Sequence, residues 1–441
     1  MTEKLREQMR SDALDIFDSA IKAADPAECV RKVLHWDGDS LFAGDHRLAS
    51  SEFDRVMVVG GGKAAATMAA AVEGVVGAKL SGGAVITKYG HGAAAAQIDV
   101  TEAGHPLPDQ AGVDATARML DLVSQADSRT LVVTVISGGG SALMVGPAEG
   151  ITLADKQAVT QALLKCGATI DEINAVRKHI STIKGGGLAL AAAPAPVVSL
   201  ILSDVIGDSL DVIASGPTVG DDSTFGDAWD VIDRYGIENE TPQTVLHRLS
   251  AGRDGSLTDT PRSDDPIFSH VKNALVGTNR LATTAALECA RELGYNAKTS
   301  TNTLHGEARE IAKAVVALCE GASTDAGPAC LILGGETTVT IKGSGKGGRN
   351  QELALAAAME LSRNKKIVIL SGGTDGNDGP TDAAGGMVDW ATTDRAERAG
   401  VAVQDYLANN NSYHALEKTH DLVVTGATGT NVMDVVIALI N

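Results

Sequence analysis

Leu131-Val-Val-Thr-Val-Ile136 leads directly into Ser137-Gly-Gly-Gly-Ser141, so a continuous apolar run ends in three glycines between two hydroxyl residues. A run of this kind predicts a strand that is buried on both faces and ends in a tight turn. Val56-Met-Val-Val59 ends in a similar way, at Gly60-Gly-Gly62-Lys63. Because such strands alternate with helical segments, we expect an α/β fold with a parallel sheet covered on both sides.

The second half of the chain repeats this rhythm after a polar segment at 250–270, which contains glycine and proline. Such a composition is typical of a loop at or near a domain boundary. A chain of 441 residues is long enough for two or three domains. We therefore expect two domains, at 1–250 and 270–441.

Periodicity also predicts individual elements. We expect helices at 3–24, 26–36 and 169–192, and a strand at 337–342. Lys184-Gly-Gly-Gly187 interrupts the third of these helices, and each glycine there costs up to about 1 kcal/mol relative to alanine. That cost predicts that the backbone closely approaches either a ligand or another element.

Composition narrows the classes of partner. The formal net charge of −19 argues against nucleic acid and against an anionic membrane surface, since both require clustered Lys and Arg. No apolar run reaches about 18 residues, so we expect no membrane span. The five cysteines form no CxxC pair, which is typical of reduced thiols in the cytoplasm. Any anionic ligand must therefore be met by local positive charge.

The first candidate site for such a ligand is Gly60-Gly-Gly62-Lys63. Lys63 lies at a predicted helix N-terminus, where N–H groups and the helix dipole favour phosphate. The turn matches the relaxed pattern GxGxxA, but Thr87-Lys-Tyr89 lacks the acid that would hold a ribose. It is not a P-loop either, because the spacing differs and Ala64 replaces Ser or Thr. We expect Gly61, Gly62 and Lys63 to bind phosphate; the alternative is a solvated lysine.

A second candidate is the turn after residue 136. Its N–H groups could form a nest for an anion, although a purely structural turn is the alternative. GxSxG is absent, so a serine hydrolase is not expected. The candidate ligands here are Ser137, Gly138, Gly139, Gly140 and Ser141, together with Lys184.

A third candidate is Gly343-Ser-Gly-Lys-Gly-Gly-Arg-Asn-Gln-Glu352. Arg349 offers a rigid five-donor fork that suits carboxylate or phosphate. Asn350 and Glu352 are candidate substrate ligands beside it. The alternative is a glycine-rich hairpin turn with a surface arginine that caps the next helix.

Aspartates that follow predicted strands are candidate magnesium ligands. They are Asp204, Asp208 and Asp375, and the alternative is that they cap turns. The segment that starts at Asp375 lacks the glycine and glutamate of a calcium loop. His105, which precedes a proline, is expected to be a packed turn residue. Glu336 could be either a turn carboxylate or a site residue.

Taken in order, these motifs resemble class II glycerate kinase, the glycerate 2-kinase family with a MOFRL-type C-terminal domain. Some members of that family are labelled hydroxypyruvate reductase. The resemblance runs from about residue 56 to 433, with small departures at Asn377 and Ala427. The matching segments include Val59-Gly-Gly-Gly-Lys-Ala-Ala65, Ile136-Ser-Gly-Gly-Gly-Ser-Ala142, Lys184-Gly-Gly-Gly-Leu-Ala189, Gly347-Gly-Arg-Asn-Gln-Glu352 and Thr428-Gly-Thr-Asn431.

The resemblance implies phosphorylation of D-glycerate at the 2-hydroxyl by ATP and Mg²⁺, giving 2-phosphoglycerate and ADP. It implies a Rossmann-like N-terminal domain with a parallel sheet, a smaller mixed α/β C-terminal domain, and an active site in the cleft between them. The lysine and arginine proposed as catalytic in the family correspond to Lys63 and Arg349. One alternative is an NAD(P)H-dependent hydroxypyruvate reductase, and another is a non-enzymatic sensor of a small organic anion. The sequence leaves the oligomeric state open, a homo-oligomer included.

Overall fold

The computed structural model describes residues 2–300, 303–325, 327–362 and 364–441, and it divides the chain into two compact units. The Lys63 unit is Pro26–Val276, and the Arg349 unit combines Met1–Asp25 with Gly277–Asn441. This division differs from the expected domains at 1–250 and 270–441, because the first helix, α1 (Thr2–Ala23), belongs with the C-terminal residues. Within the described residues, no helix combines the length and the hydropathy that a bilayer span requires.

Two sheets and nine helices build the described Lys63 unit. Its strands are β1 (Leu34–Asp37), β2 (Ser40–Ala43), β3 (His46–Ala49), β4 (Arg55–Gly61), β5 (Leu80–Lys88), β6 (Ile98–Ala103), β7 (Thr130–Ile136), β8 (Val197–Leu202) and β9 (Val271–Gly277). Its α-helices are α2 (Pro26–Val33), α3 (Ala65–Val76), α4 (Gln110–Val123), α5 (Gly140–Leu143), α6 (Leu153–Cys166), α7 (Ile170–His179), α8 (Gly187–Ala192), α9 (Phe225–Tyr235) and α10 (Gln243–Arg253). Short 3-10 helices lie at Gly77–Lys79, Ile206–Asp208, Ile213–Ser215 and Pro266–His270.

The main sheet of the Lys63 unit confirms the expected Rossmann-like fold. Its strand order is β6-β5-β4-β7-β8-β9, and β4 pairs in parallel with both β5 and β7. Counted from β4, this is the doubly wound order 3-2-1-4-5-6. Every residue of β7 and β8 is buried, in agreement with their largely apolar sequences, and the hydroxyl of Thr134 in β7 donates to that of Ser199 in β8 at 2.7 Å. The strand order reverses between β4 and β7, which is where such sheets bind ligands.

Three sequence-based element predictions were wrong in detail. The region 169–192 forms two helices, α7 and α8, because Gly185 and Gly186 adopt left-handed φ angles of 54° and 80° between them. The helix expected at 26–36 ends at Val33, where the chain enters the small antiparallel sheet β1-β2-β3. The strand expected at 337–342 is the end of a longer strand that stops at Thr338.

The Arg349 unit contains a mixed seven-stranded sheet with helices packed on it. Its strands are β10 (Asn296–Thr299), β11 (Leu304–Glu307), β12 (Ala329–Thr338), β13 (Ile367–Gly373), β14 (Gly385–Asp389), β15 (Leu422–Val423) and β16 (Asp434–Ile440). Besides α1, its helices are α11 (Asn279–Glu292), α12 (Ala308–Gly321), α13 (Arg349–Glu360), α14 (Thr392–Arg398), α15 (Val403–Ala408) and α16 (Ser412–Thr419). Strand β16 lies between β12 and β13 and is antiparallel to both.

Helix α1 joins this unit through its apolar face. Ile16, Phe17 and Ala20 are fully or almost fully buried, and α1 packs on α11, β13 and β16. A Cβ atom at Gly372 in β13 would lie 2.5 Å from Cζ of Phe17, so the strand leaves room there for an aromatic ring. The spacing of the apolar residues predicted the helix, and the sheet that it covers is more than 300 residues away in the chain.

Candidate active site

The ends of β4 and β7 meet at the point where the strand order reverses. Gly61 is paired with Ile136, so the turns that follow the two strands lie side by side. The Lys63 N–H donates to the Gly138 carbonyl at 2.8 Å, and the Ser137 N–H donates to the Gly61 carbonyl at 3.3 Å. The structure therefore joins two of the predicted anion-binding turns into one.

The glycines before Lys63 are explained by packing. Gly60 and Gly62 have φ angles of 144° and 146°, which side chains rarely adopt. A Cβ atom at Gly60 would overlap the Val135 carbonyl, and one at Gly62 would overlap Ser137 Oγ. The close approach of β4 to β7 thus explains the GxGxxA pattern, and a bound dinucleotide is not needed to explain it.

The turn after β7 presents main-chain donors. Gly139 has a left-handed φ of 81°, and the Gly140 N–H bonds back to the Ser137 carbonyl. Within the described parts of the chain, the N–H groups of Gly138 and Gly139 donate to no protein acceptor. Ser137 itself is 1% exposed, and its hydroxyl accepts the Ala64 N–H at 3.0 Å. Ser137 therefore holds the turn, and the glycine N–H groups are the donors available to a ligand.

His105 lies at the same turn as Lys63. A Cβ atom at Gly139 would lie 2.9 Å from His105 Nε2 and 3.4 Å from Cγ of Lys63. Burial, followed by the charge of Lys63, lowers the pKa of His105 to about 4. The imidazole is therefore neutral at pH 7. Sequence reasoning expected only a packed turn residue here, and no local signal placed His105 beside Lys63.

Lys184 supports the turn from inside the unit. It is 2% exposed, and its Nζ donates to Ser141 Oγ at 2.8 Å and to the Ser141 carbonyl at 3.0 Å. Burial holds the pKa of Lys184 well below its usual range. A Cβ atom at Gly186 would lie 2.7 Å from Cζ of Phe268, and one at Gly187 would overlap the Thr182 carbonyl. The glycines after Lys184 therefore accommodate neighbouring protein elements.

A cavity of about 560 Å³ also opens in the Lys63 unit, beside Asn174 of α7. Its lining includes Asp171, Asp211 and Asp222, and its only lysine, Lys178, is paired with buried Asp221 at 3.2 Å. This acidic lining disfavours phosphate and carboxylate groups. The turn beside Lys63 is therefore the better candidate for an anionic reactant.

In the Arg349 unit, the glycines of 343–348 allow a close approach between chain segments. A Cβ atom at Gly343 would overlap Asn409, one at Gly347 would overlap Ser412 Oγ, and one at Gly348 would overlap Asp378. The carboxylate of Asp378 accepts the N–H groups of Asn350 and Gln351 at 3.2 and 2.8 Å. This carboxylate therefore caps helix α13 and positions its first residue, Arg349.

Two acidic side chains hold the guanidinium of Arg349 in place. Its Nε and Nη2 donate to the two carboxylate oxygens of Asp434 at 2.6 and 2.9 Å, and its Nη1 contacts Glu336 at 2.7 Å. Burial opposes the charge, but the bonds to Asp434 and the charge of Glu336 raise the pKa of Arg349. The side chain of Arg349 keeps 33% exposure, whereas that of Asp434 keeps 2%. Glu336 is thus a partner of the predicted catalytic arginine.

Strand register places three acids at one end of the sheet, and two of them pair with Arg349. Asp434 is the first residue of β16 and pairs with Gly335 of β12 on one side and Gly373 of β13 on the other. Glu336 directly follows Gly335, and Asp375 lies two residues beyond Gly373. The three acids therefore belong to one edge of the sheet.

Asn350 and Glu352 face the interior. Both are 1% exposed. Asn350 accepts the Ser371 hydroxyl at 2.6 Å, and Glu352 is bonded to Arg309 at 2.6 Å and to Asn410 at 3.1 Å. These contacts fix α13, and the substrate-binding role of the two residues stays a prediction.

The expected magnesium ligands follow strand ends. Among the residues that the structure describes, no three His, Cys, Asp or Glu side chains form a metal-binding group. A Cβ atom at Gly373 would lie 3.3 Å from Asp375 Oδ1 and 3.4 Å from Asp434 Oδ1, so two carboxylates border one small space. Mg²⁺ commonly uses one or two carboxylates and takes its other ligands from water and phosphate. The residues present therefore fit an ion that arrives with a nucleotide. Asp204 and Asp208 follow β8, and Asp208 has a left-handed φ of 54°.

Comparisons with known proteins cover almost the whole chain. Residues 12–250 match a domain of unknown function, DUF4147, and residues 329–434 match the MOFRL family. The chain is 43% identical to a D-glycerate 2-kinase of Thermotoga maritima, with 98% of this chain and 99% of the relative covered. It is 41% identical to a glycerate 2-kinase of Pyrococcus horikoshii, with 98% and 97% covered. A protein of Agrobacterium vitis that carries the name hydroxypyruvate reductase is 42% identical, with 86% and 98% covered.

The structure is also similar to a solved one. A crystal structure of glycerate kinase from Thermotoga maritima superimposes with a TM-score of 0.87 at 42% sequence identity, and 99% of this chain and 100% of that chain are covered. The agreement in motifs, domain models, full-length identity and fold shows that the chain belongs to the glycerate 2-kinase family of enzymes.

Proposed function

We propose that the chain is an ATP-dependent glycerate 2-kinase that phosphorylates the 2-hydroxyl of D-glycerate and releases 2-phosphoglycerate and ADP. The observation that carries this proposal is Lys63 beside the Gly138–Gly139 donors at the switch point of the sheet. The names of the bacterial and archaeal relatives supply the substrate class. The five cysteines are free thiols, which supports a cytoplasmic location.

The Lys63 unit would hold transferring phosphate. In phosphoryl transfer a protein mainly positions groups and offsets spread negative charge. Lys63 supplies one positive charge, and the N–H groups of Gly138 and Gly139 supply oriented donors that need no reorganisation. Because His105 is neutral at pH 7, it adds no second charge beside Lys63. Lys184 and Ser137 act by holding the turn in shape.

Arg349 would bind either the substrate carboxylate or the transferring phosphoryl group. Asp434 and Glu336 fix the orientation of its fork before any ligand arrives. A preorganised guanidinium loses little entropy when it binds an oxyanion. An aspartate commonly accepts the hydroxyl proton in kinases, and we assign that role to Asp204 or Asp208.

A magnesium ion, when bound with the nucleotide, would neutralise charge on the phosphate oxygens. Asp375 and Asp434 would hold it, because their oxygens border the space beside Gly373. Asp204 and Asp208 remain the other candidate ligands. The chain's own contribution is this pair of carboxylates, which lie at the ends of neighbouring strands.

The second candidate function is an NAD(P)H-dependent hydroxypyruvate reductase, which the name of the Agrobacterium vitis relative favours. Two observations count against it. Strand β5 ends at Lys88 without an acid for the ribose, and packing accounts for the glycines of GxGxxA.

Two assays on the purified chain separate these functions. We expect ADP release with D-glycerate, ATP and Mg²⁺, and a ³¹P NMR spectrum of 2-phosphoglycerate. We expect no loss of NADH absorbance with hydroxypyruvate. NADH oxidation without ADP release would overturn the kinase proposal, and a 3-phosphoglycerate product would overturn the assigned position.

A further inference from the structure

We propose that Arg177 binds the carboxylate of the hydroxy-acid substrate next to Ser141. This inference rests on the proposed function, because it names the residue that recognises the acid group of glycerate. Arg177 lies in α7 and is partly exposed. Its Nη2 is 3.5 Å from the Ser141 carbonyl, so the guanidinium lies against the turn that carries Gly138 and Gly139.

Arg177 belongs to a cluster of four cations, in which one acid, Glu149, acts electrostatically on one member, Arg248. The other members are Lys156, Lys184 and Arg248. Lys156 Nζ donates to the Ile180 carbonyl at 2.9 Å, Lys184 Nζ to Ser141, and Arg248 Nε to the His179 carbonyl at 2.8 Å. Within the described chain, none of the four forms an ion pair with a carboxylate, whereas neighbouring Lys178 pairs with Asp221.

Such a cluster is unexpected in a chain with a net charge of −19. Like charges at close range destabilise one another, and burial adds to the cost of each charge. Burial, followed by the charge of Arg177, lowers the pKa of Lys184 and lowers that of Lys156 to about 7. The arrangement becomes favourable when an anion supplies the missing negative charge, which is typical of a binding site.

Of the two partly exposed arginines, Arg177 lies at the Ser141 turn, whereas Arg248 bonds to the His179 carbonyl and lies over the Phe225 ring. Lys156 and Lys184 are 8% and 2% exposed, and each Nζ is already bonded to main-chain carbonyls. The single bond of Arg177 is long, so most of its five N–H donors have no protein acceptor in the described chain. A planar fork of this kind matches the two oxygens of a carboxylate. Arg349 would then act on the transferring phosphoryl group.

The test compares Arg177→Ala and Arg177→Lys with the unchanged full-length chain. The control is Arg234→Ala, which removes the same charge from a surface pair with Glu172. Steady-state kinetics with D-glycerate and ATP give KM and kcat, and calorimetry gives the dissociation constants of glycerate and of ADP. We expect Arg177→Ala to raise KM and Kd for glycerate about 10- to 100-fold, to leave ADP affinity unchanged, and not to lower Tm. Arg177→Lys should fall between the two, because a point charge replaces the fork.

Substrate chemistry provides the second arm. Glyceramide lacks the carboxylate charge, so its affinity should be the same in the unchanged chain and in Arg177→Ala. Unchanged glycerate affinity in Arg177→Ala would overturn the proposal. Weaker ADP or ATP binding with unchanged glycerate binding would also overturn it, and would assign the cluster to a nucleotide phosphate.

These measurements separate this inference from the proposed function. If the unchanged chain turns over no glycerate, the kinase proposal fails, while calorimetry with glycerate and lactate still tests the carboxylate site. Binding of these hydroxy acids that is lost in Arg177→Ala would support the site on its own. Absence of such binding in the unchanged chain would refute it.

Discussion

Replacing Arg349 by glutamine should destabilise the Arg349 unit as well as stop catalysis. The two bonds of Arg349 to Asp434 are 2.6 and 2.9 Å long, and the Asp434 side chain is only 2% exposed. Arg349→Gln leaves that carboxylate buried without its counter-ion. Breaking a buried pair in this way costs about 3–5 kcal/mol. For a unit of this size, that loss corresponds to a fall in Tm of roughly 6–20 °C.

A double variant tests whether the buried charge of Asp434 causes the loss of stability, and the single variant Asp434→Asn shows how much turnover is lost with that candidate magnesium ligand alone. Adding Asp434→Asn removes the buried charge, so Arg349→Gln with Asp434→Asn should regain most of the lost unfolding free energy. Turnover of the double variant should stay about 10³-fold or more below that of the unchanged chain, as for other arginines that offset transition-state charge. Urea unfolding followed by circular dichroism measures the first quantity, and ADP release at saturating glycerate and ATP measures the second.

The matched control is Arg234→Gln, whose partner Glu172 lies in a surface pair in which the arginine side chain is 63% exposed. That change should cost less than about 1 kcal/mol. If the double variant regains turnover together with stability, Arg349 is only a structural residue. If Arg349→Gln costs no more than the control, the carboxylate of Asp434 is not the buried charge described above.

Three further predictions concern the Lys63 unit. Lys63→Ala should lower kcat by orders of magnitude while circular dichroism shows the fold intact, since we assign the charge to the ligand; normal turnover would remove Lys63 from the mechanism. Gly62→Ala should lower the unfolding free energy by about 2–5 kcal/mol, because its Cβ overlaps Ser137 Oγ at a φ of 146°. Gly236→Ala, at a left-handed φ of 61° but in open space, should cost only about 1 kcal/mol, and equal costs would contradict the overlap argument. The imidazole of His105 should titrate near pH 4 by NMR and at higher pH in Lys63→Ala. Because the unfolded imidazole takes up its proton near pH 6.5, His105 should reduce stability as pH falls from about 6.5 towards 4, and an ordinary midpoint would refute its burial beside Lys63.

The sequence alone was sufficient for the elements that depend on local pattern. The apolar runs at 131–136 and 56–59 predicted the buried strands β7 and β4, because a strand covered on both faces has no polar side. The glycine-rich turns after such runs placed Lys63 at a strand end, and the ordered motifs indicated the family. A continuous pattern was also misleading at 169–192, where two glycines with positive φ divide one expected helix into two.

Tertiary structure alone decided which atoms meet. The sequence offered Glu352 and Ser137 as ligands, but their hydrogen bonds reach Arg309 and Ala64, which no local spacing could indicate. His105 and Arg177 gave no local signal, because each lies against a turn that is more than 30 positions away in the chain. Helix periodicity predicted α1, yet its packing on α11, β13 and β16 assigned it to the Arg349 unit. Backbone pattern is a short-range property, whereas charge pairing and the space around a glycine depend on chain segments that meet only after folding.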